Sequence, residues 1–385
     1  MDLLDKVAGF AGNLWDYGVP FLITLSVLVF VHELGHFWVA RRNGVKVEVF
    51  SIGFGTELFG WNDRHGTRWK FSAIPLGGYV KMFGEYDFDE EADGRPPMTE
   101  AEKAVSFHHK RLGQRAAVVA AGPIANFLFA ILLLAGLFMT VGNPQHKAGV
   151  GQVQAGSAAE EAGFLKGDLI LAIAGEATPR FEDLRRIVSA HPDEKLLFEI
   201  ERDGEALSLT AIPRVAERED EDGIPRKVGV LGVLPDPAQV SYERHDPLTA
   251  SWLAVERSFG LAVRILQEVG AMIGGHRNAE DLGGPLRIAE MSGKMAESGF
   301  VSLVFFMAAL SVNLGLINLF PIPVLDGGHL MFYAAEAIRG RPLDARYQEY
   351  GFRFGLVLVL LLMVFATWND LVHLKVFEFI KNFLS

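Results

Sequence analysis

Apolar residues gather in four long runs: Val19 to Ala40, Ala116 to Val141, Phe300 to Phe320, and Gly355 to Trp368 with its flanks. At a helical rise of about 1.5 Å per residue, the first three can cross a hydrocarbon core of about 30 Å. The fourth is short, but Phe352 and Phe354 lengthen it and Arg353 can snorkel its charge to the interface. The pattern predicts four transmembrane helices, placed at residues 1–44, 115–142, 300–335 and 351–385 with their flanks and tail.

The period changes to two between the first two runs, where Val45, Val47 and Val49 alternate with Lys46 and Glu48, and Trp69, Phe71 and Ala73 with Lys70 and Ser72. Gly53, Gly55, Gly60, Gly66, Gly77 and Gly78 punctuate this stretch, so a small β-sheet is expected over residues 45–85. Residues 86–114 are expected to form a loop. Within it Asp87 to Glu102 is acidic, contains Pro96 and Pro97, lacks an apolar period and reads as mobile. Residues 145–214 read as a compact α/β module. Val150, Val153, Leu169, Ile170 and Ile173 are strand-like, Leu184, Ile187 and Val188 mark a helix, and a terminal hairpin turns at Asp203-Gly204.

Residues 215–299 read as a charged linker, Arg214 to Asp236, followed by amphipathic helices. In Pro247 to Ile273, Leu253, Val255, Phe259, Val263, Leu266 and Val269 are set among Glu256, Arg257, Arg264 and Glu268. That face suits a membrane surface or a protein core equally well. Leu371 to Leu384 poses the same choice.

Half of the 385 residues are hydrophobic, which suits a chain that is part membrane and part soluble. A formal net charge of −11 argues against a nucleic-acid partner, since phosphate recognition relies on clustered cations. The chain contains no cysteine, leaving His, Asp and Glu as the strong metal ligands. Arg41, Arg42 and Lys46 follow the first run, Lys110, Arg111 and Arg115 precede the second, and Arg339, Arg341, Arg346 and Arg353 lie between the third and fourth. The positive-inside rule puts these loops, including residues 336–350, in the cytoplasm and residues 142–299 on the opposite side. Arg41 and Arg42 stand where a signal-cleavage site would carry small residues, so the first run is expected to be an uncleaved anchor.

The first run carries His32-Glu33-Leu34-Gly35-His36. A charged residue at the centre of a membrane helix costs about 2.5 to 3.5 kcal/mol. A structural zinc returns on the order of 10 kcal/mol, enough to offset that cost. Histidines at i and i+4 lie about 40° apart on one helical face and can converge on one zinc ion, with Glu33 beside them. The expected role of Glu33 is to take a proton from the attacking water and pass it to the leaving amine. A catalytic zinc site needs a third protein ligand. The third run ends in Asn318-Leu319-Phe320-Pro321-Ile322-Pro323-Val324-Leu325-Asp326-Gly327, where Pro321 and Pro323 should break the helix and free carbonyls at membrane depth. Asp326, on that break, is the candidate third ligand. His329 either supports the metal site or caps the next helix, whereas the remaining histidines read as solvated or structural.

These motifs, together with Ala121-Gly122-Pro123 and Asn126 in the second run, resemble the site-2 protease family of intramembrane zinc metalloproteases, in its bacterial regulator-of-sigma-E type. The resemblance implies a polytopic α-helical membrane protein with four transmembrane helices, a membrane-re-entrant β-sheet and a periplasmic PDZ domain. It implies His32, His36 and Asp326 as zinc ligands, Glu33 as catalytic base, and Asn318 as a residue that positions the substrate or stabilises the reacting carbonyl, a hydrogen bond closing the broken helix being the competing role for Asn318. It also implies an inner-membrane location and a single-span membrane substrate, such as a trimmed anti-sigma factor or a remnant signal peptide. The stretch Gly156-Ser157-Ala158-Ala159 to Ile170 resembles PDZ modules of bacterial proteases, and Gly149, Val150 and Gly151 would then form the loop that caps a bound peptide's carboxylate. Many relatives carry two such modules, whereas Arg214 to Asp246 is too short for a second. Substrate unwinding by strand addition would use the surroundings of Gly53, Gly55, Gly77 and Gly78, with Pro321 and Pro323 also among the candidate substrate-binding residues; turn geometry alone is the competing role for the glycines. A membrane PDZ scaffold or chaperone with a non-catalytic metal site is the alternative function, and a serine protease is disfavoured because no G-x-S-x-G elbow occurs.

Overall fold

A computed structural model describes residues 3–85, 98–219, 225–236, 239–275 and 283–373. The elements run α1 (Leu3–Arg42), β1 (Val47–Asn62), β2 (Arg68–Met82), α2 (Glu100–Val105), α3 (Leu112–Thr140), β3 (Asn143–His146), β4 (Val150–Val153), α4 (Ala158–Glu161), β5 (Leu169–Ile173), β6 (Glu176–Ala177), α5 (Phe181–Ala190), β7 (Leu196–Arg202), β8 (Glu205–Ala211), β9 (Arg214–Glu219), β10 (Pro225–Val230), β11 (Val233–Pro235), β12 (Val240–Glu243), α6 (Pro247–Ile273), α7 (Pro285–Glu297), α8 (Phe300–Asn318), α9 (Asp326–Arg339) and α10 (Ala345–His373). The chain divides into two compact units, residues 137–246 and the remainder.

Among the described residues of the larger unit, four helices are long and apolar enough to cross a membrane: Trp15–Arg42, Leu112–Thr140, Phe300–Asn318 and Arg346–Val372. The third apolar run is cut where its prolines predict. α8 ends at Asn318 and α9 starts at Asp326, with residues 319–325 held by tight turns such as Ile322 N–H to Phe320 O at 2.7 Å. Gly327 and Gly328 let α9 fold back on this break. A Cβ on Gly327 would lie 2.2 Å from Leu319 O, and one on Gly328 2.3 Å from Ile322 O.

β1 and β2 are longer than the alternation suggests, because both continue through glycine bends. Residues 49–52 are paired on both edges, Phe50 with Val80 and with Trp69, Ser51 with Tyr79 and with Lys70. The bends need Gly53 (φ 89°) and Gly55 (φ 84°), conformations that side chains rarely adopt. Phe50 is fully buried and stacks on Trp69 with centroids 4.2 Å apart, and Phe37 of α1 meets both rings edge-on, joining sheet to helix. The opposite end of the hairpin exposes Phe54, Leu58, Phe59, Trp61, Phe71, Ile74 and Leu76.

The acidic stretch read as loop falls mostly outside the described residues, but its end is helical. Thr99 and Glu102 form a reciprocal capping box that starts α2. α6 has the expected bounds and packs on α8; its buried stripe is Ala250, Ala254, Ser258 and Ala262, while Trp252, Phe259, Val263 and Leu266 face outward. Residues 374–384 of the C-terminal amphipathic stretch lie outside the described residues.

The smaller unit has its own core around Phe164, Ile170, Ile173, Leu184, Phe198 and Ile200. The β7–β8 hairpin turns at Asp203 (φ 54°) and Gly204 (φ 84°), the pair of positive φ angles that a tight two-residue turn demands. The charged segment from Arg214 is not a linker. β9 pairs with β10, β11 with β4 and β12 with β3, so this unit extends through residue 246.

Candidate active site

His32, Glu33 and His36 lie on the C-terminal half of α1, and the break before α9 brings Asp326 to them. His32 Nε2 is 3.2 Å from Asp326 Oδ2 and 3.2 Å from His36 Nε2, and His36 Nε2 is 3.6 Å from Asp326 Oδ2. A tetrahedron with metal–ligand bonds of about 2.0 Å has edges of about 3.3 Å, so the three atoms stand at the corners such an ion requires. Asp326 Oδ2 is buried and makes no hydrogen bond despite these short approaches. His36 Nδ1 is 2.9 Å from Val118 O, which can only accept, so Nδ1 carries the proton and the Nε2 lone pair faces the cluster. The buried Asp326 oxygen and the His36 lone pair are two acceptors facing each other, an arrangement that a cation resolves. The donor set therefore fits a metal ion.

Neighbouring helices leave room for the imidazoles only because they carry small residues. A Cβ on Gly122 of α3 would lie 2.2 Å from His36 Nε2 and 2.9 Å from His32 Cε1, and one on Gly35 would lie 2.3 Å from Ala121 O. Asp326 occupies the first turn of α9, where the helix dipole favours an anion.

A cavity of about 490 Å³ opens from these residues, with Glu33, Tyr79, Val80, Asn318, Asp326 and His329 among its lining. Glu33 borders the sheet: a Cβ on Gly78 would lie 3.2 Å from Glu33 Cγ, 2.8 Å from Val29 Cγ1 and 2.7 Å from Ser51 O. The chain also passes closely at Gly53, where a Cβ would lie 2.8 Å from Ile74 O, and at Gly77, where one would meet the Phe54 ring. Asn318 Nδ2 donates to Leu314 O at 3.0 Å within its own helix, closing the end of α8, and the residue also lines the cavity. His329 sits in the first turn of α9 with its ring 5.0 Å from that of Phe352.

The polar far wall of this cavity escaped sequence reasoning. Arg115 and Glu336 form a partly buried ion pair at 2.6 Å, and the guanidinium lies 5.0 Å over the Tyr333 ring. Burial pushes the Glu85 carboxyl up to about 7, although the Met82 amide donates to it at 3.2 Å. Arg115 was legible only as topogenic charge, and its partner is 221 positions away.

In the smaller unit the peptide-loop candidates Gly149, Val150 and Gly151 are committed to backbone pairing: Gly149 bridges Leu169, and the Val150 N–H donates to Asp168 O at 2.8 Å. They do not line the groove of about 420 Å³ in this unit. That groove runs between α5, through Phe181, Leu184, Arg185 and Val188, and residues 229–235.

The model of peptidase family M50 matches residues 20–362. The chain is 45% identical over 372 residues to "Putative zinc metalloprotease Atu1380" of Agrobacterium fabrum, covering 96% of this chain and 99% of that one. It is 46% identical over 361 residues to "Putative zinc metalloprotease R01501" of Rhizobium meliloti, covering 92% and 96%. It is 40% identical over 395 residues to "Metalloprotease MmpA" of Caulobacter vibrioides, covering 95% and 98%. Among solved structures, the PDZ domain of the SdrC-like protein Lmo2051 of Listeria monocytogenes matches 23% of this chain and 84% of its own, with 16% identity and a TM-score of 0.18. A family match across nearly the whole chain, relatives of equal length and four apolar helices, one of them carrying the histidine pair, have one meaning: this chain belongs to peptidase family M50 and is an intramembrane zinc metalloprotease.

Proposed function

We propose that the chain cuts single-span membrane proteins inside the bilayer, with His32, His36 and Asp326 holding one zinc ion and Glu33 acting as general base and then acid. The observation that carries this reading is the convergence of three ligand atoms within 4.8 Å beside Glu33. Zinc bound there supplies Lewis acidity, activating water and polarising the scissile carbonyl. Glu33 takes a proton from the attacking water and delivers it to the departing amine. Asn318 faces the same cavity and orients the substrate backbone.

Helical backbone hides its carbonyls, so the substrate must be unwound before it reacts. The outer edge of β2 near Tyr79 and Val80, both lining the cavity, is where an extended substrate strand would add. The exposed aromatic and aliphatic residues of the hairpin support its immersion in lipid as a re-entrant sheet. The arginine and lysine bias supports a cytoplasmic placement for the loops after α1, before α3 and between α9 and α10, and hence an opposite-side, periplasmic placement for residues 137–246 in an inner membrane. The groove beside α5 is suited to an extended peptide, the mode of a PDZ domain. Anti-sigma factors already trimmed outside the membrane, and remnant signal peptides, are the substrate classes in view.

The test is Glu33→Gln against a single-span reporter in liposomes. Cleavage should fall at least about a hundredfold, the usual contribution of a positioned acid–base group, with zinc content unchanged. Turnover that survives with zinc bound would remove Glu33 from the base role.

A further inference from the structure

The two imidazoles at the site are held by different partners, and only one of those partners settles its own orientation. His36 Nδ1 faces the Val118 carbonyl, which admits one arrangement. His32 Nδ1 faces the side-chain amide of Asn126, whose Nδ2 stands 3.1 Å away. The Asn126 side chain is fully buried on α3, and its Oδ1 has no hydrogen-bond partner. With the amide so turned, Asn126 donates to His32 Nδ1, and the ring proton must then sit on Nε2, the atom that points at His36 and Asp326. A protonated Nε2 cannot bind a metal. Exchanging the amide oxygen and nitrogen, two atoms that differ little in shape, puts an acceptor at Nδ1 and frees the Nε2 lone pair.

We propose that Asn126 is a positioning residue for the metal site: in the metal-competent protein its Oδ1 accepts the Nδ1–H of His32, fixing the tautomer and aiming Nε2 at the ion. This rests on the reading of His32 as a ligand. The two imidazoles then share one arrangement, each donating from Nδ1 to an oxygen of α3, Val118 O for His36 and Asn126 Oδ1 for His32. The Asn126 backbone is anchored independently, since Ser311 Oγ of α8 donates to its carbonyl at 2.8 Å. Side-chain substitutions therefore leave the contact between α3 and α8 in place.

The test is zinc affinity of the purified full chain, read by competition with a chelator, for Asn126→Leu and Asn126→Asp. Loss of such an outer hydrogen bond weakens metal binding by about 10- to 100-fold, and that is the expected result for Asn126→Leu. Asn126→Asp presents only acceptors and should bind zinc nearly as tightly as the parent chain. Nitrogen-15 spectra of histidine-labelled protein should show His32 protonated at Nδ1 in the parent and in Asn126→Asp. Parental affinity in Asn126→Leu, or an equal loss in Asn126→Asp, would overturn the proposal. If Asn126→Leu fails to fold, Asn126→Asp and the spectra still decide. Asp326→Ala separates the two claims. Zinc retained there overturns the ligand set itself, whereas zinc lost there but kept in Asn126→Leu overturns only the role of Asn126.

Discussion

Single atoms decide whether the site can form. Gly122 is the sharpest case, because a methyl group there would overlap His36 Nε2 at 2.2 Å. Gly→Ala inside a helix ordinarily favours the helix by about 0.5–1 kcal/mol, so Gly122→Ala should leave α3 at least as stable while displacing the imidazole. The expected outcome is zinc affinity reduced at least about tenfold with helical content unchanged, read by chelator competition and circular dichroism. Asp63 offers a residue-scale test away from the site. Burial opposes its ionisation, but amides of Thr67 and His65, the Trp69 indole and the Arg41 guanidinium outweigh it and hold the carboxyl below its usual range. A depressed folded-state value stabilises the protein above the unfolded carboxylate value of about 3.9, and that contribution is lost as pH falls through the folded value. Thermal unfolding in detergent between about pH 7 and about pH 3 should therefore lose stability at the acid end, with a shallower loss in Asp63→Asn. Equal slopes would mean that the Asp63 cluster contributes nothing.

Helices and strands were legible to the extent that their causes are local. The four apolar runs announce themselves by length, and Pro321 and Pro323 announce the break that delivers Asp326. α7 was not legible as a separate helix, since part of its stability comes from the far end of the chain. The Asp370 carboxylate accepts from the amides of Gly284 (2.8 Å), Leu286 (2.9 Å) and Arg287 (3.1 Å), capping the α7 N-terminus from α10. Asp370→Ala should cost about 1–2 kcal/mol and raise hydrogen exchange in the first turn of α7, and unchanged exchange would contradict the capping role. The strands β9 to β12 were missed for a similar reason. Arg214 to Glu219 carries too few apolar residues to signal a strand, and Val233 pairs with Val153, eighty positions earlier. Gly78 was noticed as a turn signal, but that β2 abuts Glu33 there depends on packing that no local pattern encodes.

For the whole molecule, the sequence was most informative about chemistry and least about the smaller unit. The convergence of His32, His36 and Asp326 beside Glu33 was foreseeable because charged and polar groups inside apolar runs require a compensating partner. The smaller unit obeys ordinary core packing plus an ion pair to a buried carboxylate: Arg202 grips Asp168 with two bonds of 2.7 Å and the Gly163 carbonyl at 2.8 Å, while Asp168 is 1% exposed. Removing one partner strands a buried charge, so Arg202→Ala should destabilise this unit by about 3 kcal/mol, visible as an earlier unfolding transition of the full chain. An unshifted transition would show that water reaches Asp168 freely.

The central claim is that one zinc ion sits between two imidazoles of α1 and the carboxylate that begins α9. X-ray absorption at the zinc edge on the purified full chain tests it most directly. The expected result is one zinc per chain with two imidazole nitrogens and at least one oxygen at about 2.0–2.2 Å, and loss of that zinc in Asp326→Ala. Stoichiometric zinc with the same coordination in Asp326→Ala would contradict it.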